Sequence, residues 1–293
     1  MEASFLFGQF LSGLTAAMFL FLIASGLSLI FGVLRVLNFA HGSFYMLGAY
    51  LAWQIVRWVG PQGEGFWLAA LGAAIAVALL GGVIERLLLR HLYGREELYQ
   101  LLFTYALVLM LGDLAKVTWG TGQLSVSRPP SLAGAFNLFG VTVPLYNLFI
   151  ILLGPTIALV FWFVLQRTPV GRIVRAAALD RETLGALGGN VGWVYTGMFV
   201  TGSFLAGLGG ALVTPTQSIV PGMDVAVIVD AFIVVVIGGL GSFWGTFLGA
   251  LVFGQVLAFG ILVFPGFSIF AVSALMATIL IVRPWGLLGR PIR

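Results

Sequence analysis

Few residues in this chain can do chemistry. Its 293 residues include two histidines, His41 and His91, a single lysine, Lys116, and no cysteine. The lack of cysteine excludes thiol catalysis, disulfides and thiolate metal sites. No His-x3-His pair is available to hold zinc, so no metal site is expected. Val117 follows Lys116, so the Gly-x4-Gly-Lys-Ser/Thr loop that cradles nucleotide phosphates cannot be built here. The chain cannot hydrolyse ATP through that loop on its own. A Gly-x-Ser-x-Gly elbow is also missing. One nucleophile–base set can be weighed, His41 with Ser43 or Ser242, which would make an intramembrane serine enzyme. Against it, a histidine at a helix start more often bonds a carbonyl.

The elements that must position these residues are membrane helices. The chain is 60% hydrophobic and 8% charged, with a mean hydropathy of +1.11. A soluble domain carries roughly 25% charged residues. Asp, Glu, Lys and Arg are absent from Ala3 to Leu34, Gly65 to Ile84, Thr183 to Met223 and Ala231 to Val282. At about 20 apolar residues per crossing, these runs hold about five spans or more. Stretches such as 69–80 are apolar on every side rather than alternating, so helices are expected and a barrel is not. The reading is an all-α, polytopic helical membrane protein with about 8–9 transmembrane segments, forming one transmembrane domain over 1–293. The expected spans are 7–31, 40–57, 66–85, 98–117, 143–165, 194–214, 225–240, 246–263 and 268–283. The segment 225–240 contains Asp230 and ends in glycines, so a short or re-entrant helix is the alternative there.

Orientation follows from the basic residues. With the N-terminus outside, Arg35, Arg86, Arg90, Arg95, Arg167, Arg172, Arg175, Arg181, Arg283, Arg290 and Arg293 fall inside. Only Arg57, Lys116 and Arg128 fall outside, as the positive-inside bias requires. The net charge of +4 is explained by this bias. No basic run is dense enough to track a phosphate backbone, so nucleic acid is not an expected partner. Asp113 and Lys116 can pair on one helical face, and Asp224 and Asp230 are expected near an outer helix end. On this reading no span carries a charge at mid-depth. An ion relay is then not expected, and an external motor fits better.

The polar stretch 166–193 is expected to be a cytosolic loop. Within it, Ala176–Ala186 has good helix propensity apart from Gly185, with charges on one side and Ala and Leu on the other. Two readings stay open on physical grounds. The helix docks into a partner's groove, or it rests on membrane lipid with Arg172, Arg175 and Arg181 at anionic headgroups.

Gly26-Leu27-Ser28-Leu29-Ile30-Phe31-Gly32-Val33-Leu34-Arg35-Val36-Leu37-Asn38-Phe39-Ala40-His41-Gly42-Ser43 resembles the N-terminal signature of LivH-type permeases, the membrane subunits of branched-chain amino acid ABC importers. Three further blocks are similar: Gly171-Arg172 to Asp180-x-Glu182, Ala231-Phe232 to Gly241-Ser242, and Pro284-Trp285 to Arg290-Pro291. Gly188-Gly189-Asn190 departs from the Leu-Gly-Ile more usual in that family. The resemblance implies an inner-membrane permease without its own ATPase site or cofactor, ATP being bound by partner subunits. It implies four partners: a second, LivM-like permease, two ABC ATPases and an extracytoplasmic substrate-binding protein. It also implies that 172–188 is the coupling helix. Gly171, Arg172, Arg175, Ala178, Asp180, Glu182, Leu187 and Gly188 are then the expected coupling residues.

In an alternating-access cycle the pathway is expected near two breaks, since unpaired backbone at membrane depth belongs inside protein or along a water-filled cavity. One break holds Asn38, His41 and Ser43; the other holds Gly238, Gly239, Gly241 and Ser242. Helix capping is the alternative role for Asn38, His41 and Ser242. Rival functions are a passive channel, a membrane enzyme with a buried serine, or an ABC permease for urea, amides or other small solutes.

Overall fold

The computed structural model of the chain describes residues 3–60, 65–263 and 268–289. Among them, the helices are α1 (Ala3–Leu34), α2 (Ala40–Val59), α3 (Gly65–Leu87), α4 (Glu97–Trp119), α5 (Leu145–Arg167), α6 (Pro169–Leu179), α7 (Arg181–Ala186), α8 (Val191–Val213), α9 (Met223–Gly238), α10 (Phe243–Val263) and α11 (Ser268–Val282). A small antiparallel hairpin, β1 (Ala135–Leu138) and β2 (Val141–Pro144), precedes α5, with Leu138 paired to Val141. Among the described residues six helices, α1, α3, α4, α5, α8 and α10, are long and apolar enough to cross a membrane.

α1 is the axle of the bundle. It is apolar all round, and from Ala17 to Ile30 every residue is buried, the pattern of a helix enclosed by others. α10 packs along it, with Phe21 in edge contact with Phe243 and Phe247, while α8 packs on another side. Apolar burial cannot hold helices together in lipid, so close backbone approach does. A Cβ on Gly48 would lie 2.2 Å from the Gly207 carbonyl oxygen, and one on Gly210 would lie 1.8 Å from that of Tyr45.

α1 starts beside the hairpin, where Phe7 meets Phe139, and finishes beside α6 and Gly241. The two ends of the bundle are thus a hairpin end and an α6–α7 end. The C-terminal stretch returns to the second: Leu287 and Leu288 donate their amides to the Ile237 and Gly238 carbonyls, at 2.9 and 3.0 Å. These bonds cap the open carbonyls of α9. Arg290 and Arg293 lie outside the described residues.

Two helices begin inside the bundle rather than at its surface. α1 ends on Arg35, a non-glycine residue at φ 56, whose amide bonds the Phe31 carbonyl. The chain then runs non-helically until α2 starts at Ala40, and Val36 and Asn38 are already buried. There His41 donates from Nε2 to the Ile23 carbonyl at 3.0 Å. Ile23 lies about 17 Å from the end of α1 at 1.5 Å per residue, so α2 begins deep within the bundle. α9 begins at a similar depth: its Asp224 accepts a 2.8 Å hydrogen bond from Ser43, and its Ile228 packs on Gly42. This corrects the expectation that Asp224 and Asp230 sit near an outer end and that no charge lies at mid-depth. The chain turns back after α8 before starting α9, which hydropathy cannot register.

The stretch expected to be one helix over 172–188 is two. Asp180 is extended (φ −151, ψ 101) and its carboxylate accepts from the Glu182 and Thr183 amides at 3.0 Å. Its side chain starts a new helix rather than continuing the old one.

Candidate translocation and coupling sites

The residues proposed for coupling lie together on the α5–α8 connection. Thr168 opens α6 by accepting from the Gly171 amide, with Pro169 in the first helical position, where its missing N–H is no loss. α6 buries Gly171, Val174 and Ala177 against the bundle. Gly171 has an internal role: a Cβ would lie 2.2 Å from the Leu165 carbonyl oxygen. Arg175 and Ala178 are half-buried, whereas Arg172, Asp180, Glu182, Leu187 and Gly188 are exposed. Large apolar side chains share the open side: Leu179 is 79% and Leu187 80% exposed. A cavity of about 380 Å³ separates the α6–α7 junction from the end of α1, lined by Val33, Leu34, Arg35, Ala177–Glu182 and Tyr195.

The bundle holds this segment through residues that composition did not flag. Glu85, in the last turn of α3, is fully buried. It accepts from the Tyr93 hydroxyl at 2.9 Å and the Thr196 hydroxyl at 2.6 Å. Tyr93 packs edge-on against Tyr195, and the Arg86 guanidinium lies 4.8 Å from the Trp193 ring. The end of α3 is therefore clamped to the start of α8, where the α6–α7 segment rejoins the bundle. Burial first, then the Glu85 charge, pushes the Tyr93 hydroxyl well above its ordinary 10.0, so it remains a donor. A glutamate ending an apolar run with a tyrosine eight residues on was the available signal.

The two proposed pathway breaks do not meet. Asn38, His41 and Ser43 are fully buried at the interior start of α2. Asn38 does not act as a cap; neither of its amide atoms has a partner. His41 spends one ring nitrogen on Ile23, and Nδ1 is buried without a partner. Ser43 is bonded to Asp224, so His41 and Ser43 are engaged elsewhere and do not form a nucleophile–base pair. Gly238, Gly239, Gly241 and Ser242 form the turn between α9 and α10 at the α6–α7 end. Gly239, at φ 105, packs against the Trp285–Gly289 stretch, and Gly241 touches Gly32. The Ser242 hydroxyl accepts from the Gly245 amide at 3.1 Å, a capping role for α10.

The basic residues segregate as the sequence suggested. Of the residues expected inside, Arg35, Arg86, Arg90, Arg172 and Arg283 lie at the α6–α7 end. Arg57 and Lys116 close α2 and α4 at the other.

The high-affinity branched-chain amino acid transport system permease protein BraD of Pseudomonas aeruginosa is 30% identical over 97% of this chain and 95% of its own. The corresponding LivH of Escherichia coli is 28% identical over 97% of this chain and 95% of its own. The LivM permease protein of Escherichia coli is 27% identical over 94% of this chain but 68% of its own length. No solved structure matches the chain. Residues 9–282 match the family described as branched-chain amino acid transport system / permease component, and the chain belongs to that family.

Proposed function

We propose that the chain is one permease subunit of an ATP-driven importer that carries branched-chain or related small amino acids across the inner membrane. The observation that carries this reading is the α6–α7 segment, clamped at both ends to the bundle yet presenting Arg172, Leu179, Glu182 and Leu187 outward. A rigidly mounted mixed apolar and charged surface suits docking onto a soluble motor subunit. The α6–α7 end is then cytoplasmic, consistent with its arginines. α2, α9 and α11 complete nine passes with the six long helices. The N-terminus is outside and the C-terminus inside.

A second permease of LivM type would face this one, two ATPases would bind ATP and engage the α6–α7 segments, and a binding protein would deliver solute at the hairpin end. Affinity purification of the tagged chain from mild detergent tests the assignment. Recovery of a P-loop ATPase and a second permease supports it. An intact chain recovered alone would favour a passive channel.

A further inference from the structure

α9 carries a second carboxylate that nothing so far described uses. Its bundle side is formed by Asp224, Ile228, Ala231 and Val235, all buried. On the opposite flank Val225, Ala226 and Val229 are exposed, with half-buried Asp230 at the margin. Asp230 lies between Ile228, which packs on Gly42, and Phe232, whose ring is 5.1 Å from that of Phe39. It is therefore level with the start of α2, which His41 ties to the interior of α1.

Among the described residues Asp230 has neither an ion-pair nor a hydrogen-bond partner, and the ion pair there is Lys116–Asp113. Nor do the helices packed against α9 bring a cation to it: α1, α10 and α11 carry no Lys or Arg, and the one on α2, Arg57, sits in its last turn, at the far end from Ala40. A carboxylate at this depth is costly against hydrocarbon, and such residues face cavities or polar partners. A dry seam against another subunit would leave it buried and unpaired unless that subunit brought a cation.

We propose that the Ala226–Val229–Asp230 flank borders a water-filled passage, and that Asp230 receives the ammonium group of a zwitterionic solute there. The passage satisfies the charge, and the adjoining Val225, Ala226 and Val229 give an aliphatic side chain apolar surface beside it. The solute's identity rests on the importer reading; the wetness of this flank does not.

The absence of cysteine makes the test direct. Single cysteines at Ala226 and Val229 would be exposed, in membranes containing the assembled complex, to membrane-impermeant cationic and anionic methanethiosulfonates. Leu109→Cys and Leu152→Cys, on exposed faces of α4 and α5, are the controls. Ala226→Cys and Val229→Cys are expected to react faster than either control, with the cationic reagent preferred. Asp230→Asn should reduce that preference about tenfold, the scale of field focusing in a lined cleft, and Asp230→Glu should restore it. Reaction as slow as the controls would mean lipid or a dry seam and would overturn the proposal. A preference unchanged by Asp230→Asn would overturn the ammonium site. Fast, charge-selective labelling without ATP-dependent uptake would support the passage and count against the importer reading instead.

Discussion

Replacing Thr196 by valine removes one hydroxyl and almost no volume from the joint between α3 and α8. The hydroxyl lies 2.6 Å from a Glu85 carboxylate oxygen that has no access to solvent. A hydrogen bond to a buried charged group contributes about 1.5–3 kcal/mol, because loss of the donor leaves the charge under-satisfied. Tyr93→Phe removes the other donor, 2.9 Å away, and keeps the ring contact with Tyr195. Each substitution should therefore cost about 1.5–3 kcal/mol. Both donors serve one carboxylate, so the double change should depart from additivity by about 0.5–3 kcal/mol. Adding Glu85→Leu to that double change should restore stability, since an isolated buried charge is worse than none. Unfolding of the purified protein in mixed detergent micelles measures all four variants. Additive losses below about 0.5 kcal/mol, the size of an ordinary surface substitution, would show that the carboxylate is hydrated and refute the clamp.

Ser43→Ala removes the hydroxyl bonded to Asp224 and should cost about 1.5–3 kcal/mol; the same micelle titration should find Ser43→Ala with Asp224→Asn less damaging than Ser43→Ala alone. At the α6–α7 junction, the Thr183 hydroxyl and then its amide hold the Asp180 carboxyl below its ordinary 3.8. A depressed carboxyl gives its stabilisation above the unfolded value and loses it as pH falls through the folded one. Protection of the Glu182 and Thr183 amides, as exchange rates divided into their intrinsic values at each pH, should thus hold at neutral pH and fall only below 3.8. Gly210→Val would drive a side chain into the Tyr45 carbonyl and should abolish recovery of folded protein, measured by monodisperse elution in detergent, whereas Gly112→Ala, in open space, should not. Arg172→Glu with Glu182→Arg, both exposed and sparing the Asp180 cap, should leave folding intact but weaken capture of an ATPase on the tagged chain.

The helices could be read from the sequence because lipid demands long uncharged runs, and the expected segments match observed helices to within a few residues, six of them, among the described residues, long and apolar enough to cross a membrane. Depth could not be read. Ala40 and Met223 open apolar helices whether they start at a surface or inside the bundle, and the non-helical return from Arg35 has no signature in hydropathy. The break at Asp180 was visible as an Asp followed three residues later by Thr183, a capping pattern, but helix propensity across Ala176–Ala186 masked it. His41 was placed at a helix start bonding a carbonyl, and it does so, although to α1 rather than locally. Glu85 was missed because one glutamate among Arg86, Arg90 and Arg95 looks like loop charge; its burial depends on Thr196, distant in sequence.

On the importer reading, a partner's ATP hydrolysis drives transport through this chain. The most direct test of that reading is uptake of labelled leucine into vesicles reconstituted with the complex and its binding protein, with ATP supplied on the α6–α7 side. Accumulation above the external concentration is expected with ATP and none with a non-hydrolysable analogue. Equal, merely equilibrating uptake with and without nucleotide would contradict that reading and identify a passive channel.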